Sequence, residues 1–317
     1  MRLRQFPFCA MFAAFVFSIS LAGSFENVRA QRAKATATAA KDDVIFAVTR
    51  RPDAVFEFEP IAVFRRGAFI ESITGGSSAA ELARFGNSYY KAGQRYRLIW
   101  GGAEAGTVVA KESQKATECS KAAATADVQT SVQLGGNRMA LATNSATLGL
   151  AKPSRRAPTD AERAGVREHV ERIFREKGVP KDALAALQTI NLTALDLDGD
   201  GAAELIGTYM IRRGTDKIFI DQLFLLAEPS GNAFKVAVAN YEQMTGEDFS
   251  DIESLQSVGQ SAFLTEVLID QLDVDKDGTG EVFTVNYTFE GTHYSIYKKG
   301  AKGWARLKEF YNYRCAY

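Results

Sequence analysis

Asp196-Leu197-Asp198-Gly199-Asp200-Gly201-Ala202-Ala203-Glu204 returns 77 residues later as Asp273-Val274-Asp275-Lys276-Asp277-Gly278-Thr279-Gly280-Glu281. Both stretches read D-x-D-x-D-G-x-x-E. Aspartates at alternate positions can turn their carboxylates to one side, and glycine at position 6 permits a sharp reversal of the chain. Four carboxylates crowded into so short a loop repel one another. At about 5 Å a pair costs ~1 kcal/mol in water and ~3 at an effective dielectric of 20. A hard cation that takes roughly six to eight oxygen ligands, Ca2+, removes that cost. A solvated acidic turn also favours Asp and Gly, but it does not account for five identical positions appearing twice. The carboxylates of Asp196, Asp198, Asp200 and Glu204, and of Asp273, Asp275, Asp277 and Glu281, are therefore candidate metal ligands. The backbone oxygens of Ala202 and Thr279, at position 7, complete the two sets.

The flanks decide what kind of loop this is. An EF-hand requires a bidentate Glu at position 12 and a helix on each side; position 12 here is Gly207 and Thr284. The segment after each loop is β-like, Leu205 to Ile211 and Val282 to Phe289. The loops resemble the FG-GAP or VCBS-like calcium-binding repeats of extracellular β-propellers and integrin-type heads, in which such a loop joins two strands. The resemblance spans about residues 185 to 317 and implies metal ligation by the ten residues named above. With two loops only, it does not imply a closed propeller.

Sliding the first unit onto the second extends the match. Ile190, Leu192 and Leu195 fall on Val267, Ile269 and Leu272, Leu205 on Val282, and Gly214-Thr215 on Gly291-Thr292. After a shorter spacing, Phe234-Lys235-Val236 matches Trp304 to Leu307. Each unit reads as strand, acidic loop, strand, Gly-Thr turn, strand, Gly turn, aromatic strand. Glu242 to Gly259, polar and acidic, is an extra piece between them. The sequons at Asn191 and Asn286 lie inside predicted strands, a poor setting for glycan acceptors. Tyr287, Tyr294, Tyr297, Trp304, Tyr311 and Tyr313 fit cross-strand packing better than a ligand surface.

Ahead of the repeats, Thr159 and Glu162 form a capping box. Val166, Val170, Ile173 and Phe174 share one face, and Gly178 and Pro180 end the helix. That face predicts packing on the adjoining sheet. Residues 151–158, AKPSRRAP, are the expected linker, which places a β-rich domain at 44–150 and the helix with its two repeats at 159–317. In the first of these, Val44 to Thr49, Val55 to Phe58, Ile61 to Phe64 and Phe69 to Ile73 are strand-like. Ser78 to Phe85 reads as a short helix, and Tyr96 to Trp100 with Thr107 to Ala110 flank a glycine-rich turn at 101–106. That turn lacks the Lys and Ser/Thr of a phosphate loop, and it leads into a strand.

Residues 1–30 read as a secretory signal: Arg2 and Arg4, an apolar run to Gly23, then Val28-Arg29-Ala30 before a flexible leader at 31–43. No later segment is long and apolar enough to span a bilayer. Cleavage leaves Cys119 and Cys315, and whether they pair is open. With 38 basic and 38 acidic residues there is no nucleic-acid footprint. His169 and His293 stand apart and read as ordinary surface residues, and no nucleophile elbow, zinc signature or Cys/His arrangement is present. The sequence thus predicts a mainly β, α+β protein, secreted or periplasmic, that binds calcium and plays a structural or adhesion role or binds a protein or glycan ligand. The alternative is a secreted calcium-stabilised hydrolase using acids such as Glu242, Glu247, Asp248 and Asp251, although two-carboxylate chemistry needs a separation that sequence does not supply.

Overall fold

The run Val44 to Val48 is apolar without alternation, which for a strand means burial on both faces. In the computed structural model it forms β1 (Asp43–Arg50), whose Val44, Phe46 and Val48 point into one core and whose Ile45 and Ala47 join another. Residues 42–73, 77–115, 122–150, 152–214, 219–245, 265–288 and 291–313 are described, all within one unit, Asp42–Tyr317. The expected signal peptide, most of the leader, Cys119 and Cys315 lie outside them.

The β-rich expectation holds, and the first half adds a closure that no pattern in the sequence announces. β1 pairs with both β2 (Phe56–Arg65) and β7 (Ala140–Thr143). With β4 (Arg95–Trp100), β5 (Ala103–Ser113) and β6 (Ala124–Thr130), the order β1-β7-β4-β5-β6-β2 returns to β1 as a closed six-stranded antiparallel barrel. This is unlike the blade of a propeller. A short β3 (Ala68–Ile70) hangs on β2. Phe46, Phe58, Tyr96, Leu98 and Val108 fill the interior together with alanines 110, 124, 126, 140 and 142. Alanine on several staves leaves room for the aromatic rings of the others, with Phe46 5.2 Å from Phe58 and 5.0 Å from Tyr96. Leu82 and Phe85 of α1 (Ala79–Tyr89), capped by Ser78 and Glu81, pack on the same core.

Two local expectations are corrected. The predicted strands on either side of Pro60 are one strand. β6 pairs only with Phe56 to Phe58 and β3 only with Val63 to Arg65, so Pro60, which has no N–H to give, sits where β2 has no second neighbour. An irregularity there leaves Ile61 unmatched, between Phe46↔Pro60 and Ile45↔Ala62. The β4–β5 turn is two residues rather than six. Gly101 and Gly102 carry φ of 59° and 76°, the double left-handed conformation of a tight hairpin, and Trp100 pairs with Ala103.

The second half forms two four-stranded antiparallel meanders. The first is β8 (Gln188–Leu195), β9 (Glu204–Arg213), β10 (Phe219–Ser230) and β11 (Ala233–Thr245). The second is β12 (Val267–Leu272), β13 (Glu281–Thr288), β14 (Gly291–Gly300) and β15 (Gly303–Tyr313). The helix α2 (Asp160–Glu176) has the expected capping box, and Val166, Val170, Ile173 and Phe174 pack on Leu205, Ile211, Leu223 and Leu225 of the first meander. The opposite face of that sheet, with Leu195, Ile206, Phe224 and Leu226, meets Leu268, Val282, Tyr297 and Trp304 of the second. The far face of the second meander, through Val267, Phe283, Val285 and Ile296, covers Ile45, Ile61, Ile99 and Leu141 on the outside of the barrel. Helix, meander, meander and barrel are therefore stacked in that order.

The stretch expected as a linker is pinned on both sides. Ser154 N donates to Gly101 O at 2.9 Å, and Arg156 and Ala194 exchange both backbone hydrogen bonds, at 2.9 and 3.1 Å. The Arg155 guanidinium is buried 3.9 Å from the Trp100 ring centroid and 3.4 Å from the wholly buried Asp270 carboxylate.

Candidate metal loops

Each acidic loop joins the first strand of its meander to the second. Position 2 anchors it: Leu197 and Val274 are each 2% exposed, in the cores on either side of the second meander. With that residue turned inward, the acids at positions 1, 3 and 5 are left on the other side of the chain. The closing glutamates, Glu204 and Glu281, start β9 and β13 and are buried at 3% and 1% exposure.

The same hydrogen bonds shape both turns. Position 9 accepts from the position 2 amide, Glu204 from Leu197 N and Glu281 from Val274 N, both at 2.9 Å. Position 1 accepts from the glycine at position 6, Asp196 from Gly201 N and Asp273 from Gly278 N, both at 3.1 Å. Position 5 accepts from position 7, Asp200 from Ala202 N at 2.7 Å and Asp277 from Thr279 N at 2.9 Å. Gly201 and Gly278 hold φ of 87° and 92°, the left-handed region that glycine enters freely. At position 4, Gly199 (φ 74°) faces a less suited Lys276 (φ 63°), whose ammonium turns away to Thr147 Oγ1 at 3.2 Å.

Asp196, Asp198 and Asp200 bring carboxylate oxygens within 4.8 Å of one another, and so do Asp273, Asp275 and Glu281. Two acidic clusters able to hold a metal ion are thus present. The oxygens Asp198 Oδ1 and Asp273 Oδ1 are buried and accept no hydrogen bond, which is costly for a carboxylate unless something positive meets it. Burial pushes the Glu204 carboxyl up to about 7, with the nearby Asp198 charge adding to the effect. It raises Glu281 as well, while Lys298 pulls the other way. The two loops touch: Gly280 N donates to Leu197 O at 2.7 Å.

Two lysines outside the motif meet these acids. Lys298, near the end of β14, lies 2.7 Å from Asp275, 2.7 Å from Asp277 and 2.8 Å from Glu281. Lys299 bridges Asp198 at 3.0 Å and Glu228 at 2.8 Å. Burial works against the Lys298 ammonium, but its three carboxylates outweigh that and leave its pKa raised. Sequence reasoning missed both, because no spacing near the loops announces them. Both lie side by side on β14, the third strand of the second meander, and only its placement in the folded chain brings one to each loop.

Of the acids weighed for hydrolysis, Glu247, Asp248 and Asp251 lie outside the described residues. Glu242 lines a cavity of about 110 Å3 between the meanders together with Glu266, Glu309, Arg306 and His293. Glu266 there is taken up by Thr284 Oγ1 and Tyr297 OH at 2.7 Å, Asn240 Nδ2 at 2.9 Å and Arg306 at 3.5 Å, the pattern of a structural carboxylate. His293 is half-buried against Tyr311, at 4.3 Å between centroids, rather than on the open surface. Tyr294, Tyr297 and Trp304 are core residues, while Tyr311 is exposed. No family model matches this chain, and no curated protein or solved structure matches it.

Proposed function

We propose that the protein is an exported calcium-binding protein in which the ion stiffens a β-rich scaffold for a structural, adhesive or ligand-binding role outside the cytoplasm. The observation that carries this reading is the converging carboxylate group of the first loop, Asp196, Asp198 and Asp200, with a buried oxygen of Asp198 left without a hydrogen-bond donor. Oxygen-only ligands on a flexible turn suit a hard cation, and a nine-residue loop with backbone oxygens on offer suits calcium better than the smaller, stricter magnesium ion. The resemblance to FG-GAP or VCBS-like repeats supports the same ion, as does the placement of both loops between the first two strands of a four-stranded meander.

An ion that binds only the folded chain stabilises it by RT ln(1 + [L]/Kd), about 2.7 kcal/mol at a hundredfold excess over Kd. Adding calcium to the EDTA-treated protein is expected to raise the melting temperature by several degrees. Magnesium at the same concentration is expected to do much less. An unchanged melting curve in EDTA, with no calcium found by elemental analysis, rules the reading out. The hydrolase alternative places its chemistry at Glu242, and loss of hydrolysis of a glycan or peptide panel in Glu242→Gln with unchanged stability is the result that favours it.

A further inference from the structure

The negative charge of the two loops is met in different ways. Lys298 Nζ has three carboxylates of the second loop at 2.7 to 2.8 Å, one for each ammonium proton. Two of the three, Asp275 and Glu281, are also members of the group that with Asp273 could converge on a metal ion. An ion entering the second loop and the lysine already there compete for the same oxygens.

The repeat register shows what stands in the lysine's place in the first meander. The pairings of β10 with β11 and of β14 with β15 are interrupted at matching points, between Leu226 and Ala227 and between Ile296 and Tyr297. Counting on from there, Glu228 takes the place of Lys298. The charge is reversed. Glu228 accepts from Trp304 Nε1 at 3.1 Å and pairs with Lys299, which hydrogen-bonds only Asp198 of the first loop and acts on Glu204 from farther off. Among the described residues, no lysine or arginine pairs with Asp196, Asp200 or Glu204.

We infer that the second loop carries its own cation in Lys298, and that the divalent ion fills the first loop well before the second. This rests on the calcium reading of the first loop. A tethered ammonium is present at high effective concentration and must be displaced, whereas in the first loop Lys299 holds one carboxylate, Asp198, and is itself shared with Glu228. Because the affinity of such loops depends on the charge left on their ligands, the second loop is expected to bind calcium on the order of a hundredfold more weakly than the first.

The test is a calcium titration of the purified protein by calorimetry, with the amide resonances of Gly201 and Gly278 tracked by NMR. One equivalent is expected, with Gly201 shifting first and Gly278 responding only at about a hundredfold more free calcium. Lys298→Gln is expected to add a second equivalent and to bring Gly278 into the same range. Asp198→Asn should abolish the tight site. Two equivalents of equal affinity in the unmodified protein, a Gly278 response ahead of Gly201, or a folded Lys298→Gln that still binds one ion would overturn the inference. If calcium binds at neither loop, the calcium reading itself fails, which is a different result. Should Lys298→Gln not fold, the order of the two glycine resonances in the unmodified protein decides alone.

Discussion

Gly106 and Gly201 are both glycines at positive φ, 152° and 87°, yet their neighbours make them different residues. A Cβ on Gly106 would lie 2.1 Å from the Gln129 carbonyl oxygen, which is backbone and held in the β5–β6 ladder. A Cβ on Gly201 would meet nothing within 4 Å. Gly201→Ala therefore carries only the conformational penalty, about 1 kcal/mol. Gly106→Ala must move a barrel strand and is expected to cost about 3 kcal/mol. Urea unfolding of the two variants in EDTA, where metal binding does not enter, separates these outcomes, and equal losses would mean that the barrel gives way more easily than its close contact implies. The acidic loops show the same limit on reading residues singly. Asp198 and Asp275 are both position 3 of one motif, but one keeps a buried oxygen without a donor and the other is held by Lys298.

At the scale of elements, α2 tests how well local signals survive folding. Thr159 Oγ1 accepts from Glu162 N at 3.2 Å and Glu162 accepts from Thr159 N at 2.7 Å, so the capping box read from T-x-x-E is formed. The structure adds Arg156, which grips Glu162 through its two terminal guanidinium nitrogens at 2.6 and 2.8 Å. The Arg156 hydrogen bonds, helped by the Thr159 amide, hold the Glu162 carboxyl down at about 2. A carboxyl whose folded pKa is depressed contributes stability that is fully present above its unfolded value, about 4.3, and is lost as pH falls through the folded one. With the pair partly solvated, that contribution is about 1 kcal/mol. Glu162→Gln is expected to be less stable by that amount at pH 7, with the difference shrinking below about pH 4 and vanishing only well below about pH 2, as read by chemical denaturation at a series of pH values. A difference that stays at its pH 7 size down to pH 2 would place the effect in packing rather than charge.

At the scale of the whole molecule, the apolar junction between barrel and second meander contains a buried ion pair. The Asp270 carboxylate accepts from Gly101 N at 2.9 and 3.0 Å and faces Arg155, and burial pushes its pKa up against the pull of that guanidinium. Arg155 also donates to Ile269 O at 2.7 Å and covers Trp100. Removing one partner of a buried pair leaves an uncompensated charge, so Arg155→Met is expected to cost about 3 to 5 kcal/mol. Arg155→Met with Asp270→Asn should recover part of the loss. Thermal and urea unfolding of both variants measure this, and equal losses in the two would show that Arg155 acts by packing alone. Glu59, buried on β2, makes a second tie by accepting from Asn312 Nδ2 at 2.9 Å and Tyr294 OH at 3.1 Å.

Features that depend on near neighbours are legible in the sequence alone. The acidic turns and the capped helix with its apolar face are written in spacings of nine residues or fewer, where side chain and backbone must meet whatever the rest of the chain does, and the repeat is legible because the same local pattern is written twice. Features that depend on residues far apart are settled only when the chain has folded. Barrel closure requires β1 to find β7 nearly a hundred residues on, and nothing in the alternation of a strand names its partner. The 151–158 stretch reads as a tether because its composition is polar, yet Arg155 meets Asp270 more than a hundred residues away. The two acidic loops, identical at five positions, are set in different charge surroundings by a lysine and a glutamate at one register position of two different strands. Charge acts through space, and a motif records only the charges it contains.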